Sequence, residues 1–405
     1  MHKKNDKFIV IVFCMILFGV LCFYPVQYVL ISKGIVTVSY DNFKSAKTKT
    51  GFLSSITNKI ERLKTSVENR ATNYFPLYSE INYLVSDVNY KLNSSLLYRN
   101  MDFIPWGTNN DGEYMFQSKE HFNFILQSQR SSSDLDSRYR KMVNFFNSLV
   151  RDDVELYIYL PSRYEFNDMA STDKSIRKME KYVSSFINDL DSDINISELK
   201  VDSYEAYMKY FYNTDHHWNA YGAYQGYKDI VEMFGYSPRE AEVVPIKDIT
   251  YRGSIAKSAV ARNSKDIFYD ISVDIPSYKV LVNDKASPDK FKPREVVKKD
   301  NLFYDYYVAY YNGMYGKVEY DFNNKSKENL LILGDSYSWQ IDYLIASHFN
   351  KTYTINIKYD EYKNGVFNYD KFIKENNIDK VLFLYETQSV LFDQYDYGMT
   401  DKIRR

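Results

Sequence analysis

Cysteine is nearly absent from this 405-residue chain: the two present, Cys14 and Cys22, both fall in one apolar run near the N-terminus. The remainder therefore holds no disulfide framework, no thiolate metal site and no cysteine nucleophile. Charge of one sign is also missing. Lys+Arg 52 against Asp+Glu 53 leaves a net charge of -1, so no overall basic field exists to hold nucleic acid non-specifically. Repeats and low-complexity tracts are lacking. Hydrophobics at 45% and charged residues at 26% exclude wholesale disorder. Histidine is scarce, five in all, so two adjacent ones stand out. Tyrosine is abundant, with 41 residues. Its apolar face and polar tip suit mixed cores and surfaces that meet sugars; codon bias toward an AT-rich genome accounts for the excess equally well.

One long hydrophobic run exists. Residues 8–31, FIVIVFCMILFGVLCFYPVQYVLI, carry no charge, and a helix of that length spans roughly 36 Å, enough to cross a bilayer core. Lys3, Lys4 and Lys7 precede it and only Lys33 follows closely, which places the N-terminus in the cytoplasm and the bulk of the chain outside. No small-x-small cleavage site follows, so the run reads as an uncleaved signal anchor in the cell membrane. Residues 32–95 are polar with apolar positions at helical steps: Ile60, Leu63 and Val67, then Leu77, Ile81, Leu84, Val88 and Leu92. They read as a helical stalk, broken near Tyr74-Phe75-Pro76.

From 96 to 395 strands and helices alternate, which implies a parallel sheet with helices on both faces. Expected strands are 155–160, 199–201, 329–334, 352–357 and 380–385; expected helices are 173–190, 219–234, 337–349 and 369–376. Between about 245 and 325 the rhythm is lost. Asn312-Gly313 between aromatic runs signals a hairpin, so this stretch reads as a β-rich insertion. Residues 396–405 read as a tail.

Two segments carry chemistry. In LLILGDSYS, residues 330–338, a buried strand runs into Gly334 and a serine at the start of a helix. Gly334 allows a sharp turn, and the helix start offers N–H donors beside Ser336, where an oxyanion could be held. Gly334, Asp335 and Tyr337 are the expected supports of such a pocket, although Asp and Ser also begin helices as ordinary caps. The second segment is Asn213-Thr214-Asp215-His216-His217-Trp218-Asn219. In an extended loop, residues two apart point the same way, so Asp215 can orient His217 as a base while His216 points elsewhere. A metal held by Asp215 and one or both histidines is the competing reading, but no third ligand is evident. Nucleophile and oriented base each supply what the other lacks.

Gly334-Asp335-Ser336 resembles the first block of SGNH hydrolases, and Asp215-His216-His217-Trp218 is similar to the signature of the DHHW family, related to the AlgX and AlgJ proteins of alginate O-acetylation. That family carries Asp-x-His-Trp upstream of Gly-Asp-Ser, the order found here. The resemblance implies a flavodoxin-like α/β fold, Ser336 as nucleophile, His217 as base and Asp215 as its orienter, with no cofactor. It further implies O-acetylation of an exopolysaccharide or cell-wall polysaccharide, with acetyl groups supplied by a multi-pass membrane-bound O-acyltransferase. A polysaccharide acetylesterase, or a non-catalytic polysaccharide-binding assembly subunit, would use the same fold. The Gly and Asn oxyanion pair of ordinary SGNH hydrolases is not identifiable. Tyr385, at a strand end, is the candidate replacement, and Arg252-Gly253-Ser254 is either a source of backbone donors or a plain turn. Trp218 and Trp339 lie beside the two motifs as substrate-contact candidates: packing of the loops is favoured for Trp218, while Trp339 could stack on a sugar or pack.

Overall fold

The computed structural model describes residues 78–97, 99, 102–108, 114–127, 132–162, 179–201, 203–287, 299, 301–393 and 398–405. The apolar run 8–31 and the first part of the stalk lie outside the described residues. Among the described residues no helix is long and apolar enough to cross a membrane. The chain divides into two units, 1–99 and 100–405. In the first, Tyr78–Leu92 is a helix that continues into one wider turn, Asn93–Leu97.

The second unit opens with β1 (Phe103–Thr108), β2 (Tyr114–Ser118) and β3 (Phe124–Gln127), a small antiparallel sheet. Among the described residues the main sheet has eight strands. In chain order they are β4 (Glu155–Leu160), β5 (Ile194–Glu198), then, after the β6–β7 hairpin (Ala241–Tyr251 and Asp266–Val273), β8 (Lys279–Val282), β9 (Lys285–Ala286), β10 (Lys317–Asp321), β11 (Asn329–Gly334), β12 (Lys351–Ile355) and, after a two-residue β13 (Phe367–Asn368), β14 (Lys380–Leu384). Their order across the sheet is β5-β4-β14-β11-β12-β10-β8-β9. The first five run parallel; β10 joins β12 antiparallel, and β8 joins β10 likewise. The expected parallel sheet is therefore a mixed one. The stretch expected to be a β-rich insertion supplies β8, β9 and β10 as its antiparallel extension: β10, buried at Val318, Glu319 and Tyr320, pairs with the edge of β12 on one side and with β8 on the other.

The period-2 alternation of strand side chains divides the core between the two faces. Leu156, Ile158, Leu331, Leu333, Val381 and Phe383 pack against helices Ser132–Ser148, Met179–Asp189 and Thr387–Phe392. Tyr157, Tyr159, Leu330, Ile332, Leu382 and Leu384 face helix Ala220–Met233. Phe383 and Phe146 meet edge to face at 5.0 Å; removing either ring would cost about 3–5 kcal/mol. Because β11 is covered on both sides, its carboxyl end is held rigidly at the rim of the sheet, where α/β proteins place their ligands.

Several expected elements shift. The strand expected at 199–201 lies instead at Ile194–Glu198, and its parallel pairing with β4 ends where Leu199 N–H donates to Leu160 O at 2.9 Å. The helix expected at 337–349 is broken into a 3₁₀ turn, Ser338–Gln340, and a short helix, Asp342–Ala346. Ser338 bonds Asp335 O through both its N–H and its Oγ, which closes the tighter turn. The hairpin expected at Asn312-Gly313 is not formed. Tyr306–Tyr311 is a helix, and Asn312, at φ 45°, is its left-handed C-cap, the other role in which asparagine tolerates positive φ. At the C-terminus Met399–Lys402 is helical, and Ile403–Arg404 pairs in parallel with β13.

Candidate active site

Ser336 follows directly on β11. A Cβ at Gly334 would lie 2.9 Å from Ser338 Oγ and 3.2 Å from Leu384 O, so a side chain here would press on the serine turn and on the end of β14. Asp335 is buried and accepts N–H bonds from Tyr337 and Glu386, each at 2.9 Å. Burial pushes its carboxyl up against those bonds. Asp335 thus ties the serine turn to the end of β14. The helix start expected to donate toward an oxyanion is only the 3₁₀ turn, and the Tyr337 N–H is already given to Asp335.

The histidine loop is pinched at its base. Asn219 caps helix Ala220–Met233 by accepting from Tyr221 and Gly222 N–H, while its Nδ2 donates back to Lys209 O and Phe211 O. Asp266, reaching in from β7, accepts from Asn213 N–H at 2.8 Å, Thr214 N–H at 2.9 Å and Thr214 Oγ1 at 2.5 Å. Burial pushes its carboxyl up to about 6 against these donors. Asp215 follows, held on three sides. Its Oδ1 accepts from His217 Nδ1 at 2.5 Å and His217 N–H at 3.1 Å, and its Oδ2 from Ser254 N–H at 2.7 Å. Burial alone would raise the Asp215 carboxyl, but His216, His217 and the donated bonds hold it well below the usual carboxylate range. With a proton on His217 Nδ1, Nε2 is left as an acceptor, and Ser336 Oγ lies 2.7 Å from it.

The structure therefore brings Ser336, His217 and Asp215 into one hydrogen-bonded line, across 119 residues of sequence. His216 lines the same cleft, its Nδ1 2.9 Å from Ser254 Oγ. Asp215, His216 and His217 bring ligand atoms within 4.8 Å of one another; a cation bound there would have to displace the Asp215–His217 bond. Gly253-Ser254 supplies a backbone donor, but to the acid and not to an oxyanion. Tyr337 donates its hydroxyl to His216 O, linking serine turn to histidine loop.

Two of the sequence candidates lie in the core, Trp218 in the packing role favoured for it and Tyr385 away from the site. Trp218 is 0% exposed, packed against Tyr159, Tyr337 and Gly226 and unable to meet a substrate. Tyr385 is fully buried in the core on the opposite side of the sheet and does not line the cleft, because its strand-end side chain alternates with Leu384 onto that face. Trp339 does line it, with Gly313 flush against its indole.

The cleft has a volume of about 340 Å³. Beyond the motif residues it is walled by Tyr251, Tyr307, Trp339 and Tyr359, with Asn356 and Lys358 at the end of β12. Asn356 is buried, and its Oδ1 accepts from Lys358 N–H at 3.0 Å, which orients its amide. Asn356, Asp266 and Tyr307 carried no local signal: each is one residue of a common type, far in sequence from both motifs.

No protein-family model matches the chain, and no curated protein matches it by sequence. Solved structures do. A DHHW family protein from Eubacterium siraeum superposes with TM-score 0.54 at 19% identity, covering 74% of this chain and 98% of that one. PatB1 from Bacillus cereus, in a structure with a sulfonyl adduct, gives 0.54 at 17% identity over 70% of this chain and 98% of its own. The O-acetyltransferase domain of Pseudomonas putida AlgJ gives 0.41 at 9% identity, over 69% and 92%, too distant to carry weight. The chain has an α/β fold built on one mixed sheet. Within that class it shares its architecture with the DHHW protein and with PatB1.

Proposed function

We propose that this protein is an O-acyltransferase, acting on a polysaccharide outside the cell membrane to which residues 8–31 anchor it. The observation that carries this reading is the line from Ser336 Oγ through His217 to Asp215, at 2.7 and 2.5 Å. Neutral His217 Nε2 takes the Ser336 proton as Oγ attacks an acetyl carbonyl, and Asp215 stabilises the imidazolium that forms. Collapse of the tetrahedral intermediate returns that proton to the leaving group and leaves acetyl-Ser336. A sugar hydroxyl, deprotonated by the same imidazole, attacks the ester and regenerates the serine. A multi-pass membrane acyltransferase fits as the acetyl source, since anchoring both in one membrane raises their effective concentration. A neighbour of the same fold that carries a sulfonyl adduct supports a reactive group in this class.

The test is acylation by 4-nitrophenyl acetate. A burst of 4-nitrophenol, with an acetyl adduct mapped to Ser336 and lost in Ser336→Ala, is expected. Transfer to an oligosaccharide then separates a transferase from an esterase, which would release only acetate. A folded wild-type chain with no Ser336-dependent burst would sink the proposal and leave a binding subunit.

A further inference from the structure

Tyr307, in the short helix Tyr306–Tyr311, touches both members of the Ser–His pair. Its ring lies flat on the His217 imidazole, with centroids 3.9 Å apart and planes 11° apart. Its hydroxyl donates to the Ser336 carbonyl oxygen at 2.7 Å. Tyr307 is itself buried, and burial pushes its phenol well above the ordinary value, so it remains a donor at neutral pH. Its helix is locked from both ends. Asp305 caps it by accepting from Val308 N–H at 3.0 Å, and Gln340 Nε2 donates to Tyr311 OH at 2.7 Å.

We propose that Tyr307 is the positioning residue of this site: it fixes the plane of the His217 ring against Ser336 Oγ, and its π face stabilises the imidazolium that forms when the serine is deprotonated. The inference rests on the acyl-transfer reading. The Asp215 bond holds one edge of the imidazole but leaves the ring free to tilt about it; a flat aromatic neighbour removes that freedom. A cation over a desolvated ring face is favoured by the ring quadrupole. The hydroxyl meanwhile fixes the Ser336 peptide plane, and with it the direction of Oγ. The titratable groups facing His217 are Asp215, His216, Tyr337, Asp305 and Asp335. All of these groups are kept when residue 307 is substituted, and comparison of Tyr307→Phe with Tyr307→Leu separates the hydroxyl's effect on His217 from that of the ring face.

The full chain in detergent, labelled with ¹⁵N-histidine and assigned with His217→Gln, is titrated by NMR as wild type, Tyr307→Phe and Tyr307→Leu. Leucine keeps the site dry without a π face; phenylalanine keeps the face without the hydroxyl. The His217 midpoint should fall by about half a pH unit or more in Tyr307→Leu and stay in place in Tyr307→Phe. Sulfonylation of Ser336 by phenylmethanesulfonyl fluoride should slow several-fold in Tyr307→Phe. An unmoved midpoint in folded Tyr307→Leu, or a wild-type sulfonylation rate in Tyr307→Phe, overturns the proposal; the second also decides if the leucine variant does not fold. A wild-type chain that resists sulfonylation at Ser336 refutes the acyl-transfer reading instead, and the midpoints still judge the imidazole–phenol contact.

Discussion

Gly253 lies flush against Asp215. A methyl group in place of its hydrogen would overlap the Asp215 Cβ and Oδ2, while the next residue donates its N–H to that same oxygen at 2.7 Å. The turn that holds the acid is thus built around the absence of a side chain. Gly253→Ala should push the carboxylate away from His217 and cut Ser336 acylation by about 100-fold or more. The overpacking should cost about 1–3 kcal/mol of stability. Acylation at the wild-type rate in the alanine variant would show that Asp215 tolerates displacement.

Asn356 lines the cleft with its Oδ1 engaged by Lys358 N–H, which leaves Nδ2 as its donor end and makes it a candidate to meet an oxyanion. Asn356→Ala should lower the acylation rate by about 100-fold, the usual effect of removing one such donor. The binding of a non-reactive substrate analogue should change little. A tenfold or greater loss of that binding with the rate constant intact would mean that Asn356 holds the ground state.

Trp218 belongs to the core, with no exposed surface and Gly226 set so close that a Cβ there would lie 2.6 Å from the indole. Trp218→Ala should therefore cost about 3–5 kcal/mol in denaturant unfolding. Acceptor affinity in the fraction that remains folded should be unchanged. Selective loss of acceptor affinity at full stability would contradict the packing role.

His348 is buried 2.8 Å from the Tyr227 hydroxyl, and burial, with Arg239 and Lys327 nearby, holds its imidazole down at about 4. Its folded value is below its unfolded one, so its contribution is full above the unfolded value of about 6.5 and is lost as pH falls toward 4. Over that window the loss amounts to about 3 kcal/mol. Chemical denaturation at pH 7 and at pH 4.5 should show this decline in wild type and a flatter profile in His348→Gln. Parallel profiles would assign the acid sensitivity to other groups.

Much of the main sheet was legible in the chain. The unbroken apolar runs of β4, β11 and β14 can only be strands covered on both faces, and Asn219 marks its helix by a capping side chain that acts over two or three residues. The Asn312-Gly313 reading failed because asparagine tolerates positive φ both in a hairpin turn and as a helix cap. Packing of the Tyr306–Tyr311 rings against Phe268 and Trp339 chose between them. Tyr385 was misplaced for a related reason: a position at a strand end does not say to which face of the sheet the ring turns, whereas the packing role favoured for Trp218 matches its full burial.

By itself the sequence determined which residues could react, because a nucleophile, a base and an acid announce themselves by type and by spacing within a few residues. Only the tertiary structure decided that Ser336 and His217 meet. It also decided that Asp266, Gly253 and Tyr307 hold them there, since those contacts join segments whose separation along the chain leaves no local trace. Short-range order is written in propensity and period; a cleft is set by the packing of the whole sheet, which brings one rim of it and one loop together.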